Sequence, residues 1–338
     1  ANGVVAASAG NHAQGVALSA RKLGVEATIF MPRTTPEIKV RAVQALGANI
    51  ELVGDDYDQA CEQALAFSKH SGAFFSHPFD NRDVIVGQGT LGVEITQQLG
   101  AAPGIIFLPV GGGGLAAGVA AVVKAVYPEV RVIGVEPADA ASMYAALEAG
   151  QPVDIGTTGI FADGVAVRKV GQTTFDMCRA LVDEVITVSV DQVCAAVKSI
   201  FEEVRAVAEP AGALAVAGAI QYAASHDDGS LPEGDWVAVL SGANVNFDRL
   251  GHVVERCALG EGKEALLAVT IPERPGSFLE FCEILGESSV TEFNYRFADK
   301  HEAHVFVGVR LEEPSRNLQA RLLKSDYDVA DLSGHEVA

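Results

Sequence analysis

The chain is 338 residues long and carries 44 acidic against 24 basic side chains, a formal charge of −20. That balance argues against nucleic acid or an anionic membrane as a partner, and no apolar run reaches the ~18 residues of a membrane-spanning helix. The five scattered cysteines, with no Cys-x-x-Cys spacing, fit reduced thiols in a cytoplasmic protein rather than disulfides or a zinc site.

In chain order, Val4–Ala7 reads as a strand that ends in the polar loop Ser8-Ala9-Gly10-Asn11-His12. Ala27–Met31 is a short buried strand and Glu37–Leu46 a helix. Ile50–Val53 and Asp58–Lys69 repeat the pair. Asp83–Leu99 reads as a longer helix, interrupted in tone by Gly87, Gly89 and Gly92. The apolar stretch Ile105–Val110 runs into Gly111-Gly112-Gly113-Gly114-Leu115, and the small residues Ala116–Val126 follow as a helix. Val132–Val135 and Val185–Val188 are strands, Asp191 is expected to cap a helix running to Val204, Ala211–Ala224 is a helix, and Trp236–Leu240 a strand. Continuous apolar strands alternating with helices predict parallel strands covered on both faces. The fold class is therefore α/β, a doubly wound arrangement whose ligands sit at the carboxyl ends of strands.

The texture changes after Gly260. Ala265–Ile271 reads as a strand, Ser277 is expected to cap a helix over Phe278–Leu285, and Val290–Phe297 and Ala303–Arg310 alternate as strands. Leu318–Lys324 as a helix and Val329–Leu332 as a strand complete a β-α-β-β-α-β order, the ferredoxin-like α+β pattern. Phe293, Tyr295 and Phe297 alternate, so they share one strand face and are expected in the core of this domain. Two domains are expected, over residues 1–258 and 263–338, joined near Gly260 and Gly262.

Strand, glycine loop and helix start form a recipe for holding phosphate. Glycines leave backbone N–H groups open, and a helix N-terminus adds roughly half a positive charge. The run at Gly111 is neither the Gly-x-Gly-x-x-Gly dinucleotide pattern nor a P-loop, and a plain tight turn remains an alternative. In a doubly wound sheet this loop, the Ser8–His12 loop and Ser241-Gly242-Ala243-Asn244-Val245-Asn246 can converge on one crevice. The outer two offer hydroxyl and amide groups suited to a carboxylate or a ring heteroatom. Together the loops point to a phosphorylated cofactor and a small carboxylate substrate. No metal-ligand spacing and no Gly-x-Ser-x-Gly elbow is present. Bland readings stand beside the chemical ones: the His12 ring satisfied by neighbours, Glu209 ending a loop ahead of Pro210, and Asp163 as a turn residue.

Ser8-Ala9-Gly10-Asn11-His12-Ala13-Gln14-Gly15, Gly111–Gly118, Ala208-Glu209-Pro210-Ala211-Gly212-Ala213 and Ser241–Asn246 occur in an order that resembles fold-type II pyridoxal-phosphate enzymes. The resemblance is closest to the biosynthetic threonine deaminase (threonine ammonia-lyase) family, and Ala265–Arg310 resembles that family's ACT-like regulatory module. It implies pyridoxal 5'-phosphate as cofactor, its phosphate held by Gly111, Gly112, Gly113, Gly114 and Leu115. It implies Asn11 on the cofactor's phenolic oxygen and Ser241 facing the pyridine nitrogen. It also implies Ser8, Gly10, Asn11 and His12 around the substrate carboxylate, and Phe161-Ala162-Asp163-Gly164-Val165 resembles a cation-binding stretch in some relatives, with a plain turn at Asp163 as the alternative. A serine hydroxyl donates a neutral hydrogen bond, which leaves the ring a weaker electron sink than a carboxylate partner would.

The implied reaction is loss of water and ammonia from L-threonine to give 2-oxobutanoate, controlled by isoleucine, and valine, through the ACT-like module of a tetramer. A serine-preferring dehydratase is one alternative, because one methyl group in a pocket is worth only ~1–3 kcal/mol, and a non-catalytic amino-acid-binding protein is the other, because fold and site geometry do not by themselves prove function. The family's Schiff-base lysine lies upstream of the Ser8 loop, and no lysine of this sequence stands in that context. The sequence is thus expected to begin inside the catalytic domain, to end after one ACT-like half, to be marginally stable and to be nearly inactive by itself.

Overall fold

The computed structural model describes residues 2–226, 231–298, 300–311, 322 and 327–334. Two compact units emerge, Ala1–Val188 with Ile200–Asn246, and Ser189–Ser199 with Phe247–Ala338. The boundary falls at Asn246, so the helix that follows it groups with the second unit.

The first unit holds two four-stranded parallel sheets. One contains β1 (Val4–Ala7), β2 (Ala27–Met31), β3 (Asn49–Leu52) and β4 (Phe74–Phe75) in the order β3-β2-β1-β4. The other contains β5 (Ile105–Pro109), β6 (Arg131–Pro137), β7 (Glu184–Val188) and β8 (Trp236–Ala238) in the order β7-β6-β5-β8. Between the strands run α1 (Asn11–Leu23), α2 (Glu37–Ala45), α3 (Tyr57–Ser71), α4 (Arg82–Leu99), α5 (Gly114–Val126), α6 (Ser142–Ala149), α7 (Gln172–Leu181) and α9 (Pro210–Ser225), while α8 (Val190–Val204) groups up to Ser199 with the second unit. Every residue of β2 and β5 is buried, which is what apolar strands covered on both faces require. The doubly wound α/β reading holds. Among the described residues no helix is long and apolar enough to cross a membrane.

The glycines of α4 acquire a reason here. A Cβ on Gly118 of α5 would lie 2.3 Å from the Ile85 carbonyl oxygen and 2.7 Å from the Gly89 nitrogen. One on Gly92 would lie 3.0 Å from the Val122 side chain. The two helices cross backbone to backbone, and Gly89, Gly92 and Gly118 make the approach possible. Gly87 meets nothing within 4 Å.

The second unit contains α10 (Phe247–Gly260), β9 (Glu264–Pro272), α11 (Ser277–Leu285), β10 (Val290–Phe297), β11 (Glu302–Arg310) and β12 (Asp328–Asp331). Its antiparallel sheet has the order β10-β11-β9-β12, the ferredoxin-like arrangement, with Leu267, Val269, Phe281, Val305 and Val307 in its core. The expected helix over Leu318–Lys324 lies outside the described residues except for Leu322, which is buried in this core.

Several local expectations are corrected. Helix α8 is capped by Ser189 rather than Asp191. Gln192 N donates to Ser189 Oγ at 3.2 Å and Ser189 N to Gln192 Oε1 at 2.8 Å, a reciprocal capping box. Asp191 instead pairs with Arg256 at 2.6 and 2.9 Å. Ser277 is not the cap of α11; Gly276 holds that position at φ 92°, and the Ser277 hydroxyl is buried without a hydrogen-bond partner. Phe293, Tyr295 and Phe297 do not enter the core. They remain 40, 41 and 60% exposed on edge strand β10, with Phe278 edge-on to Phe293 and Tyr295 at 5.6 and 6.0 Å. Helices α1, α6, α7 and α10 have no counterpart among the expected elements.

Gly118→Ala is expected to lower the unfolding free energy in urea by about 1–3 kcal/mol through overpacking. Gly87→Ala, which has open space, is expected to raise it by up to about 1 kcal/mol. Equal effects from the two would contradict the crossing.

Candidate functional site

Each of the three expected loops leaves the carboxyl end of a parallel strand. The first follows β1. Ser8 Oγ accepts the Gly10 N–H at 3.2 Å, folding the loop on itself ahead of α1. Asn11 and His12 open that helix. His12 Nε2 lies 3.0 Å from the Ser76 carbonyl oxygen, so this nitrogen carries the hydrogen. Burial lowers the His12 pKa, the Ser76 bond opposing it, and the ring is neutral near pH 7. The ring thus ties the Ser8 loop to the segment after β4.

The glycine loop opens α5, which begins at Gly114 rather than Ala116. Gly113 sits at φ 90°, a left-handed conformation that favours glycine. The first turn of α5 leaves the N–H groups of Gly114, Leu115 and Ala116 with no acceptor inside the helix. Close packing is a second reason for the glycines. A Cβ on Gly111 would lie 2.8 Å from Val165 Cα, one on Gly112 would fall 2.1 Å from the Phe79 ring, and one on Gly113 2.6 Å from Met143 Cε. Phe79 belongs to the segment after β4, which sequence reasoning passed over because that strand is two residues long. Asp80 in the same segment accepts the N–H groups of Thr173 and Thr174 at the start of α7, at 3.0 and 3.2 Å.

The third loop follows β8, and its Ser241 is exposed. Beside it, Asn11 Nδ2 donates to Glu209 Oε1 at 2.8 Å across 198 residues of sequence. A Cβ on Gly242 would lie 2.0 Å from that oxygen and 3.1 Å from Asn11 Nδ2. Glu209 occupies the cap position of α9, with Pro210 in the first turn, so its structural reading is correct and incomplete. Burial raises its carboxyl above the usual range, opposed by the Asn11 bond. Asp163, in a single 3₁₀ turn, accepts from Lys39 Nζ at 2.8 Å. Among the described residues no group of three His, Cys, Asp or Glu could hold a metal.

Glu136, at the end of β6, was also unmarked by the sequence. Its two oxygens accept the N–H groups of Met143 and Tyr144, each at 2.8 Å, and so fasten the start of α6 whose Met143 meets the glycine loop. Its side chain is wholly buried, and burial pushes its carboxyl up to about 7 against those hydrogen bonds.

A glycine loop with open helix N–H groups, an amide held by a buried carboxylate and an exposed serine hydroxyl form a donor set for a phosphorylated, ring-bearing ligand. Residues 1–242 match the family described as "Pyridoxal-phosphate dependent enzyme", and the chain belongs to it. Residues 255–338 match the C-terminal regulatory domain of threonine dehydratase. Among its relatives, the biosynthetic L-threonine dehydratase of Escherichia coli is 53% identical over 342 residues, covering 100% of this chain and 66% of its own length. That of Pasteurella multocida is 51% identical, with the same coverage. The chain thus spans just under two thirds of the length of these relatives. The solved structure of the processed form of threonine deaminase isoform 2 from Solanum lycopersicum superposes with a TM-score of 0.72 at 46% identity, over 75% of this chain and 73% of that one. Maize serine racemase reaches 0.70 at 31% identity, over 75% and 77%.

The Glu136 shift has a definite sign. A carboxyl raised in the fold contributes stability that is full below its ordinary value, 4.5, and lost as pH rises through about 7. Urea melts of the wild type are expected to lose on the order of 3 kcal/mol across this interval relative to Glu136→Gln. Parallel curves for the two proteins would contradict the assignment.

Proposed function

We propose that these residues form most of the cofactor and substrate site of a pyridoxal-phosphate-dependent threonine dehydratase, which removes water and ammonia from L-threonine to leave 2-oxobutanoate. The observation that carries this is the glycine loop at the buried start of α5, whose Gly111 packs on Val165, with Glu209 3.9 Å from a Cβ on the adjacent Gly164 and held to Asn11 and Gly242. Gly111–Leu115 hold the phosphate through backbone N–H groups. Ser241 donates to the ring nitrogen, and Asn11 donates to the phenolic oxygen. Ser8, Gly10, Asn11 and His12 receive the substrate carboxylate, for which the neutral His12 ring serves as a brace on the loop. When bound, pyridoxal phosphate supplies the electron sink that acidifies the α-C–H bond of an attached amino acid. Phe79 packs against Gly112 and Gly114 of the glycine loop.

Threonine is favoured over serine by the second unit, whose match to a threonine dehydratase regulatory domain fits an enzyme under amino-acid control. Isoleucine, with valine, is the effector in this reading, the assembly is a homotetramer, and the compartment is the cytoplasm.

Equilibrium dialysis is expected to show pyridoxal phosphate binding that pyridoxal, lacking the phosphate, does not match. Gly112→Ala, which would push Phe79 off the loop, is expected to weaken binding by about tenfold or more. Equal binding of the two vitamers would overturn the phosphate assignment. In a polypeptide carrying these residues together with the cofactor-anchoring lysine, threonine should yield 2-oxobutanoate and isoleucine should suppress it. Serine turnover without threonine turnover would overturn the substrate.

A further inference from the structure

We infer that Glu209 is a positioning residue: its carboxylate fixes the amide of Asn11 so that a hydrogen of Nδ2, and not Oδ1, is offered to the phenolic oxygen of the cofactor. The inference rests on the reading that pyridoxal phosphate occupies this site.

An asparagine amide has a donating and an accepting end of nearly equal size, and its neighbours decide which faces a ligand. Here Nδ2 lies 2.8 Å from Glu209 Oε1. An ionised carboxylate only accepts, so turning the amide over would set two acceptor oxygens against each other. One Nδ2 hydrogen is therefore committed to Glu209, and the other is free to donate. A donor stabilises the phenolate form of the ligand, whereas Oδ1 would stabilise the neutral phenol.

The fold protects this arrangement. Glu209 is only 4% exposed. Its own N–H donates to the Gly242 carbonyl at 3.0 Å, and its carbonyl accepts from Ala213 N at 3.1 Å in the first turn of α9. Gly242 has no side chain where a Cβ would strike both Glu209 Oε1 and Asn11 Nδ2. Burying a carboxylate is costly, and a neutral glutamine, which both donates and accepts, could hold Asn11 in either orientation of its amide. The charge adds acceptor-only polarity, which tells the amide which way to point.

The test uses this chain and Glu209→Gln, with Glu209→Ala as the second variant. Asparagine-selective ¹⁵N labelling reads the Asn11 side chain without cofactor. In the wild type one Nδ2 hydrogen should be protected from exchange, and the protection should fall in both variants. With pyridoxal phosphate added, the wild type should hold the phenolate absorption band at neutral pH. Glu209→Gln, whose amide lets Asn11 turn over, should shift the bound ligand toward the neutral phenol, so that its half-ionisation needs a proton concentration about tenfold lower. A phenolate band unchanged in both variants, or an Asn11 amide whose exchange ignores Glu209, overturns the inference. Failure of the wild type to take up pyridoxal phosphate would overturn the functional reading instead, and the exchange measurement would still decide the role of Glu209.

Discussion

The close backbone approach around α5 is the constraint on which the first unit depends. This helix begins in glycine under Phe79 and Met143, and crosses α4 through Gly118, Gly89 and Gly92. Side chains at those points would hold the two helices apart and move the start of α5 away from the end of β5. A helix N-terminus attracts anions only where its first N–H groups are open, and its field falls off within a turn. The same small residues that let the helices touch therefore fix the positive end of α5 at the end of β5, against Phe79 and Met143.

Two buried carboxylates complete the scaffold by different means. Glu136 fastens the start of α6 and, through Met143, supports one side of the glycine loop. Glu209, at the start of α9, accepts from Asn11 at the start of α1. Both lie near the carboxyl ends of parallel strands, where backbone N–H groups at helix starts help offset the burial of charge. The Lys39–Asp163 pair and the His12–Ser76 bond add further ties within the same unit.

Much of this was legible in the sequence. Apolar runs such as Ile105–Val110 gave the buried parallel strands, and the polar or glycine-rich residues just beyond them gave the three loops. The pairing of Asn11 with Glu209 was not legible, because 198 residues separate them and neither neighbourhood names its partner. Glu136 was hidden within an otherwise apolar strand. The cap of α8 was readable, since Ser189-x-x-Gln192 is a capping-box spacing, but the acidic Asp191 drew attention from it. The aromatics of β10 alternate as core residues do, and their place on an edge strand left them exposed. Strand alternation reports which residues share a face, not whether that face is covered.

The central claim is that the start of α5 is the phosphate seat. Diffraction from crystals of this chain grown with pyridoxal phosphate tests it most directly. The account predicts phosphate oxygens about 3 Å from the backbone nitrogens of the Gly111–Leu115 loop, with the ring lying toward Asn11 and Ser241. A phosphate bound elsewhere, or a ring turned away from Asn11, would contradict it.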